Sequence, residues 1–191
     1  MLAMRIIAIS NISRSKLLGA LVACLALLGE RAEAATQGTL GETSTGSITI
    51  TVSVAKLAQI SGLSDVTLSA VDPASTATNA QSVCVWSNTA TKGYSITASG
   101  SGPGSSFALT NGSMTAPYSV AWSVSSGQTS GTSLSPGAAL TGLTSTATEP
   151  SCSSDPATTS SLIVTVGAAD LQNMQAETSY SGTLNLLVSP I

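Results

Sequence analysis

The feature that most constrains this sequence is its division into short alternating or apolar runs separated by turn-forming residues. Such runs, rich in Val, Ile and Thr, are typical of β-strands, and the Gly, Pro, Asn and Asp between them mark turns. The predicted strands are Ser47–Val54, Asp65–Val71, Gln81–Ser87, Tyr94–Ser99, Ser106–Thr110, Tyr118–Ser125, Ala138–Leu143, Leu162–Val166 and Ser181–Val188. Only Ala168–Ala176 has apolar residues at helical spacing. The pattern predicts a single all-β domain, either a sandwich or a barrel.

The composition excludes several classes of function. The chain has no histidine, only 8% charged residues and a formal net charge of −3. Without imidazole, mechanisms that need a histidine base or a histidine metal ligand are excluded. A weakly acidic chain also offers no basic surface for nucleic acid. We therefore expect no metal, no other cofactor and no nucleic-acid partner.

The first 34 residues are typical of a targeting segment. Arg5, Arg14 and Lys16 precede the apolar run Leu17–Leu28, and Ala32-Glu33-Ala34 follows it. This order indicates a secretory signal peptide that is cleaved after its last alanine. The apolar run is too short to cross a membrane, which takes about 20 residues. We expect export, a mature chain that begins near residue 35, and no transmembrane segment.

A second interpretation of the same segment is lipidation. Leu21-Val22-Ala23-Cys24 resembles a bacterial lipobox, in which Cys24 would carry the lipid. The apolar run continues to Leu28, past the point where lipoproteins usually become polar. The continued run favours the cleaved signal peptide, and lipidation of Cys24 stays the alternative.

Removal of the signal peptide leaves two cysteines, Cys84 and Cys152. Two cysteines in an exported chain most simply pair with each other. A zinc site is the weaker alternative, because two cysteines without histidine cannot complete one. The sequence therefore predicts a Cys84–Cys152 disulfide.

Signals for catalysis are weak. Ser53-Val-Ala-Lys56 matches the Ser-x-x-Lys element of penicillin-interactive enzymes, but the Ser-Asp-Asn and Lys-Thr-Gly partners are missing. The carboxylates are scattered, so a paired glycosidase site is not indicated. Trp86 and Trp122 lie in predicted strands, where tryptophan usually belongs to the core. We predict that the protein is not an enzyme.

The first predicted strand alternates strictly. One face carries Ile48, Ile50, Val52 and Val54, and the other carries Thr and Ser. Spacing alone favours an ordinary first strand that pairs within its own domain.

Three patches resemble pilins of the alternative chaperone–usher class, the colonisation-factor type. Gly46–Val54, followed by Leu57 and Ile60, is similar to their mature N-terminus. Ala116-Pro-Tyr-Ser-Val-Ala-Trp-Ser123 resembles a central strand, and Thr178–Val188 resembles their closing Tyr-Ser-Gly strand. The patches occur in the same order and span most of the mature chain. The same patches are also similar to secreted domains related to spore-coat protein U and archaic pilins. The cysteine pair Cys84/Cys152 departs from the colonisation-factor pattern.

This resemblance implies a fold and a function. The fold is an immunoglobulin-like β-sandwich over residues 57–191, incomplete and completed by donor-strand exchange. The N-terminal extension, residues 35–56, holds the donor strand, whose Ile48, Ile50, Val52 and Val54 contact the neighbouring subunit. The implied function is a structural subunit of a surface fimbrium that supports adhesion or biofilm formation.

The resemblance also implies partners and a location. The partners are neighbouring pilin subunits, a periplasmic chaperone and an outer-membrane usher, and the chain passes through the periplasm to the cell surface. One domain's length favours a shaft or minor subunit over a two-domain tip adhesin. The alternative function is an autonomously folded, secreted β-sandwich module that binds a glycan or a protein.

Overall fold

The computed structural model describes residues 34–154 and 156–191. Nearly all of the predicted signal peptide, with Cys24, lies outside the described residues. The chain divides into two compact units at the boundary between Ser53 and Val54. We call residues 54–191 the sandwich unit and describe the N-terminal unit by itself.

The sandwich unit is built almost entirely of strands. They are β1 (Ala58–Ser61), β2 (Ala77–Ser87), β3 (Gly93–Gly100), β4 (Ala108–Thr110), β5 (Thr115–Pro117), β6 (Ser119–Ser123), β7 (Thr132–Ser133), β8 (Ala139–Thr144), β9 (Ser160–Val166) and β10 (Leu184–Pro190). The α-helix α1 (Ala168–Gln172) and a 3₁₀ turn, Pro103–Ser105, complete the described elements. Every strand ladder is antiparallel. The predicted all-β class is confirmed.

The strands form two main sheets. One has five strands in the order β1-β2-β9-β6-β7, and the other has three in the order β10-β3-β8. A third, two-stranded sheet pairs β4 with β5. Residues 111–114 form the four-residue turn of this hairpin, in which the Asn111 N–H bonds the Met114 carbonyl at 3.2 Å and Gly112 has a φ of +93°.

The core lies between the two main sheets. Its buried residues come from both of them: Val83, Val85, Tyr94, Ile96, Ala98, Val120, Trp122, Leu162 and Val166. The indole Nε1 of Trp122 donates a hydrogen bond of 3.1 Å to the Tyr94 hydroxyl, which lies 3.2 Å from the Ser160 hydroxyl. These bonds satisfy polar groups inside an apolar layer, where an unpaired group would be costly. This layering of antiparallel sheets is consistent with a β-sandwich.

Several strand predictions need correction. Asp65–Val71 is not a strand but part of the loop between β1 and β2. The Gln81 side chain holds this loop, because it accepts a bond from the Ser64 N–H at 2.8 Å and donates one to the Ser64 carbonyl at 3.1 Å. Sequence reasoning also missed β1, β5 and β7, which have two to four residues each. Helix α1 ends at Gln172, four residues before the predicted end.

The predicted strand Ser47–Val54 belongs to no sheet among the described residues. Ser47 exchanges two backbone hydrogen bonds with Thr36, at 2.9 and 3.0 Å, in an isolated bridge. Residues 48–57 carry no strand assignment. In the N-terminal unit, the bridge closes a small loop that leads directly into the alternating residues.

Candidate functional site

The edges of the two main sheets differ in length and regularity. Strand β10 pairs with β3 over seven consecutive residues, from Leu184↔Gly100 to Pro190↔Tyr94. The other three edges are short or interrupted: β1 has four residues, β7 has two, and the ladder of β8 contains a register shift. Strand β10 also carries no charged side chain. Proteins usually protect a long, regular, uncharged edge, because its free N–H and C=O groups can pair with another chain.

The apolar residues of β10 are only partly covered. Leu184, Leu186 and Val188 are half-buried and pack against the core, and β1, which lies beside β10, contributes the half-buried Ile60. We call these four residues the β1–β10 seam. The seam is the place where the core reaches the surface beside an open strand edge.

The alternating residues predicted as donor-strand contacts are exposed. The exposed fractions are 73% for Ile48, 79% for Ile50, 83% for Val52 and 80% for Val54. Scattered apolar residues are normal on a protein surface, but a contiguous set usually marks an interaction site. We call residues 47–54 the alternating segment. It combines the side-chain pattern of a half-buried strand with apolar side chains that are largely exposed.

Both lysines of the sandwich unit lie where β10 ends. Asn88 fixes the chain around Lys56, since its Oδ1 accepts from the Leu57 N–H at 2.7 Å and its Nδ2 donates to the Ala55 carbonyl at 2.8 Å. Lys56 and Ile191 line one depression of about 430 Å³. Lys92 precedes Gly93, whose carbonyl accepts from the Ile191 N–H at 3.2 Å. We call this the lysine end of the sandwich unit.

Three carboxylates lie where β10 begins. Strand β2 starts and β9 finishes at this end, where Ala77 pairs with Val166. Asp72 precedes β2, Asp170 belongs to α1 after β9, and Glu177 follows α1. Asp72 and Glu177 are exposed and Asp170 is half-buried. We call this the carboxylate end.

The predicted disulfide is confirmed: Cys84 on β2 is bonded to Cys152, 68 residues later. With Ala147 and the half-buried Trp86, the two cysteines form a second, small buried cluster. Trp122 is thus a residue of the main core, as predicted, and Trp86 packs against the disulfide instead.

Two hydroxyls that sequence reasoning missed hold the loop between β8 and β9. Thr159 Oγ1 accepts a bond from the Val85 N–H at 2.9 Å, and the Ser145 hydroxyl donates to the Val85 carbonyl. Beyond Val83, the ladder between β2 and β9 has ended, so these side chains satisfy backbone groups that a strand would otherwise pair. In a chain so rich in serine and threonine, no sequence signal distinguishes them.

The pKa values of two ionisable side chains are shifted from their ordinary values. A hydrogen bond of 2.6 Å from the Ser153 hydroxyl, together with bonds from Ser154, lowers the pKa of Glu149. Burial raises the pKa of Tyr118, whose ring stacks on Phe107 with 5.6 Å between the centroids. Both residues have structural surroundings, in a loop and in the core.

The described residues can be compared with two motifs that catalysis would use. Nowhere in residues 34–154 and 156–191 do three His, Cys, Asp or Glu side chains gather as a metal site would require. Ser53–Lys56 contains no helical residue, whereas Ser-x-x-Lys enzymes place that element at a helix start. Within the part of the chain that the structure describes, no helix has the length and apolar character needed to cross a membrane.

The long open edge and the seam are therefore the candidate site of the sandwich unit, and the exposed alternating segment is a separate candidate for interaction. The sequence matches no protein-family model and no curated protein significantly.

Proposed function

We propose that this protein is a structural subunit of a surface fimbrium that polymerises by strand complementation. One observation carries the proposal: the chain contains both an exposed, unpaired apolar segment with strand alternation and an open strand edge beside half-buried apolar residues. In β-augmentation, an extended segment adds to such an edge; backbone bonds give affinity and alternate side chains give specificity.

The strand order supports an immunoglobulin-like sandwich that lacks its last strand. In that fold, strands A, B, E and D form one sheet and strands C, F and G the other. The order β1-β2-β9-β6 corresponds to A-B-E-D, and the pair β3–β10 corresponds to C–F. The free edge of β10 then occupies the position beside which strand G would lie. A strand donated by a neighbour completes the fold there.

Apolar burial supplies the driving force. The donated Ile48, Ile50, Val52 and Val54 cover the seam, and each buried aliphatic side chain contributes about 1.5–3 kcal/mol. Four of them give about 6–12 kcal/mol before the cost of ordering the segment. Each copy both donates and accepts, so the contact is head-to-tail and does not close. Repetition of such a contact yields a fibre.

The resemblance to chaperone–usher pilins supplies the partners and the location. The uncharged β10 edge is an aggregation hazard before assembly. This hazard is the physical reason for a periplasmic chaperone, which would cover the edge until assembly. The usher then exchanges the chaperone for the next subunit at the outer membrane. We place the assembled protein on the cell surface, in a fimbrium that supports adhesion or biofilm formation.

The proposal is tested by the oligomeric state of the exported protein. We expect an unheated detergent gel to show a ladder of multimers that collapses to a single band on heating. A deletion of the alternating segment removes the donor and leaves the acceptor edge intact, so this variant should form no ladder. If the wild-type protein stays monomeric in the presence of a cognate chaperone and usher, the binding-module alternative replaces the fimbrial subunit.

A further inference from the structure

The turn of the β4–β5 hairpin contains a pair of residues that can react with each other. Asn111-Gly112 is the only Asn-Gly pair in the sequence. In such a pair, the backbone nitrogen of the glycine can attack the side-chain carbonyl carbon of the asparagine and close a five-membered ring. Glycine opposes this attack least, because it has no Cβ and its backbone is the most permissive.

Two backbone N–H groups hold the side-chain oxygen of Asn111. Its Oδ1 accepts from the Met114 N–H at 2.7 Å and from the Ser113 N–H at 3.0 Å. Attack at the neighbouring carbon moves negative charge onto this oxygen. Hydrogen-bond donors that are already aimed at a developing charge stabilise it, so the folded turn favours attack on the Asn111 amide.

The leaving group and the attacking residue are both accessible. Within residues 34–154 and 156–191, the Asn111 Nδ2 donates no hydrogen bond to the protein. Gly112 is exposed at a φ of +93°, and a Cβ built on it would meet no described atom beyond its chain neighbours within 4 Å. Ammonia can therefore leave to solvent, and the space beside Gly112 is open.

The other asparagines of the sandwich unit are held differently. Asn79 and Asn185 lie in the ladders of β2 and β10, where the paired backbone resists the rotation that ring closure requires. Asn88 engages both ends of its amide, and Asn173 donates its Nδ2 to a carbonyl of α1 at 2.9 Å. Each of these four is followed by a residue with a side chain. Among the described asparagines, only Asn111 combines a held oxygen, an accessible nitrogen and a following glycine.

We propose that Asn111 is a site of self-modification, at which the folded hairpin converts its own asparagine to aspartate and isoaspartate. A bond forms between the Gly112 nitrogen and the Asn111 Cγ, and the bond between Cγ and Nδ2 breaks. The Nδ2 leaves as ammonia, which takes up the proton that the Gly112 nitrogen loses. Water then opens the ring: at the side-chain carbonyl it gives aspartate, and at the backbone carbonyl it gives isoaspartate, whose backbone is one carbon longer. Water is the only other reactant.

Thr110 sets how readily the ring closes. Its Oγ1 accepts from the Gly112 N–H at 3.0 Å, and its hydroxyl donates to the Met114 carbonyl at 3.1 Å. The first bond fixes the peptide plane of the attacking nitrogen, which must turn toward the Asn111 side chain before the ring can close. Thr110 is therefore a positioning residue that slows the reaction.

The modified turn lies beside the segment that leads into β10. Thr110 and Ser181 exchange two backbone hydrogen bonds of 2.9 Å, and the Tyr180 hydroxyl donates to the Met114 sulfur at 3.7 Å. Aspartate keeps the oxygen that accepts both turn N–H groups and adds a charge to it, which strengthens the bonds. Isoaspartate lengthens the backbone inside the turn and displaces the 3.2 Å bond between Asn111 and Met114. We therefore expect the isoaspartate form to melt at a lower temperature and the aspartate form to melt like the unmodified protein.

Incubation of the exported full chain at physiological temperature tests the inference. Peptide mapping by mass spectrometry should show a carboxylate in place of the amide at Asn111, formed more than about tenfold faster than at any other asparagine of the sandwich unit. The rate should rise with pH, because the nitrogen attacks after losing its proton. Asn111→Gln, whose amide is one carbon further from the backbone, should stay unmodified at this position. An unchanged Asn111, or equally fast conversion of Asn79 or Asn185, would overturn the proposal.

Two comparisons test the part that the fold plays. Thr110→Val should convert Asn111 about threefold faster than wild type, the effect of one lost hydrogen bond. Thr115→Val removes the hydroxyl of the facing residue and leaves the turn bonds in place, so it should match wild type in rate, and both variants should match each other in thermal melts. Folded Thr110→Val should also react faster than the same variant in guanidinium chloride, where the two N–H groups no longer hold Oδ1. A folded chain that reacts more slowly than the unfolded one would refute activation by the turn.

This inference is independent of strand complementation. The reaction takes place within one chain, so a wild-type protein that stays monomeric should convert Asn111 as described. A protein that polymerises but keeps Asn111 intact would refute only the self-modification.

Discussion

The substitution Ile50→Asp separates a donated strand from a strand of the subunit's own fold. Ile50 is 79% exposed, so only about a fifth of its side-chain surface is buried in the isolated subunit. Loss of that burial lowers the free energy of unfolding by about 0.3–0.6 kcal/mol. For a domain of this size, that shifts the melting temperature by about 2 °C or less. The folded subunit should therefore tolerate the change.

Assembly should not tolerate it. In the polymer, the substitution loses about 1.5–3 kcal/mol of apolar burial and places a carboxylate in the seam, where an unpaired charge costs several kcal/mol more. A total above about 4 kcal/mol weakens donor binding about a thousandfold. Thr51→Asp carries the same charge on the opposite face of the alternating segment. It should cost less than about 1 kcal/mol, because that face reaches solvent in a half-exposed strand.

The assay compares folding and assembly in the same three proteins. Circular dichroism melts of the exported wild type, Ile50→Asp and Thr51→Asp should agree within a few degrees. Unheated detergent gels should show multimers for wild type and Thr51→Asp and none for Ile50→Asp. If Ile50→Asp lowers the melting temperature by about 10 °C and wild type stays a monomer, the alternating segment belongs to its own domain and the reasoning is refuted.

Three further predictions concern the disulfide, the pH dependence and the processed N-terminus. Alkylation without reductant should label neither Cys84 nor Cys152, and labelling of both thiols would contradict the bond. Cys84→Ala should lower the free energy of unfolding by up to about 4 kcal/mol, which corresponds to a melting temperature lower by about 8–16 °C. The lowered pKa of Glu149 contributes stability that is present above the ordinary Glu pKa of 4.5 and is lost as pH falls through the lower folded value. Glu149→Gln should therefore flatten the loss of stability between about pH 5 and pH 3, and an unchanged acid profile in chemical denaturation would argue against the shift. Intact mass should place the mature N-terminus at Ala35, whereas a diacylglycerol adduct on Cys24 would favour the lipoprotein alternative.

Alternation predicted two of the interior strands closely. Tyr94–Ser99 and Leu162–Val166 are close to β3 and β9, and each of these strands has a neighbour on both sides. Asp65–Val71 has a similar pattern, but the Gln81 side chain satisfies Ser64 and no strand pairs there. Local pattern reports which faces are apolar, and strand pairing depends on distant residues that the pattern does not contain.

For the alternating segment, too, the sequence indicates the apolar face but not the pairing partner. Its four exposed apolar residues were identified from spacing, and their role as donor contacts came from resemblance and stays a prediction. The open β10 edge could not be predicted, because an edge is defined by which strands lie beside it in the sheet.

Cysteine cross-linking tests strand complementation most directly. In the antiparallel arrangement that sets Ile50 opposite Val188, Thr51 lies directly opposite Leu187, with both side chains on the outer face. We predict that Thr51→Cys/Leu187→Cys gives a covalent ladder of multimers under oxidation, without reductant and after boiling. Thr51→Cys/Ser126→Cys, with an exposed cysteine away from β10, should give none. A cross-link confined to monomers, or equal multimer formation by both pairs, would contradict the donation of this segment to a neighbour's β10.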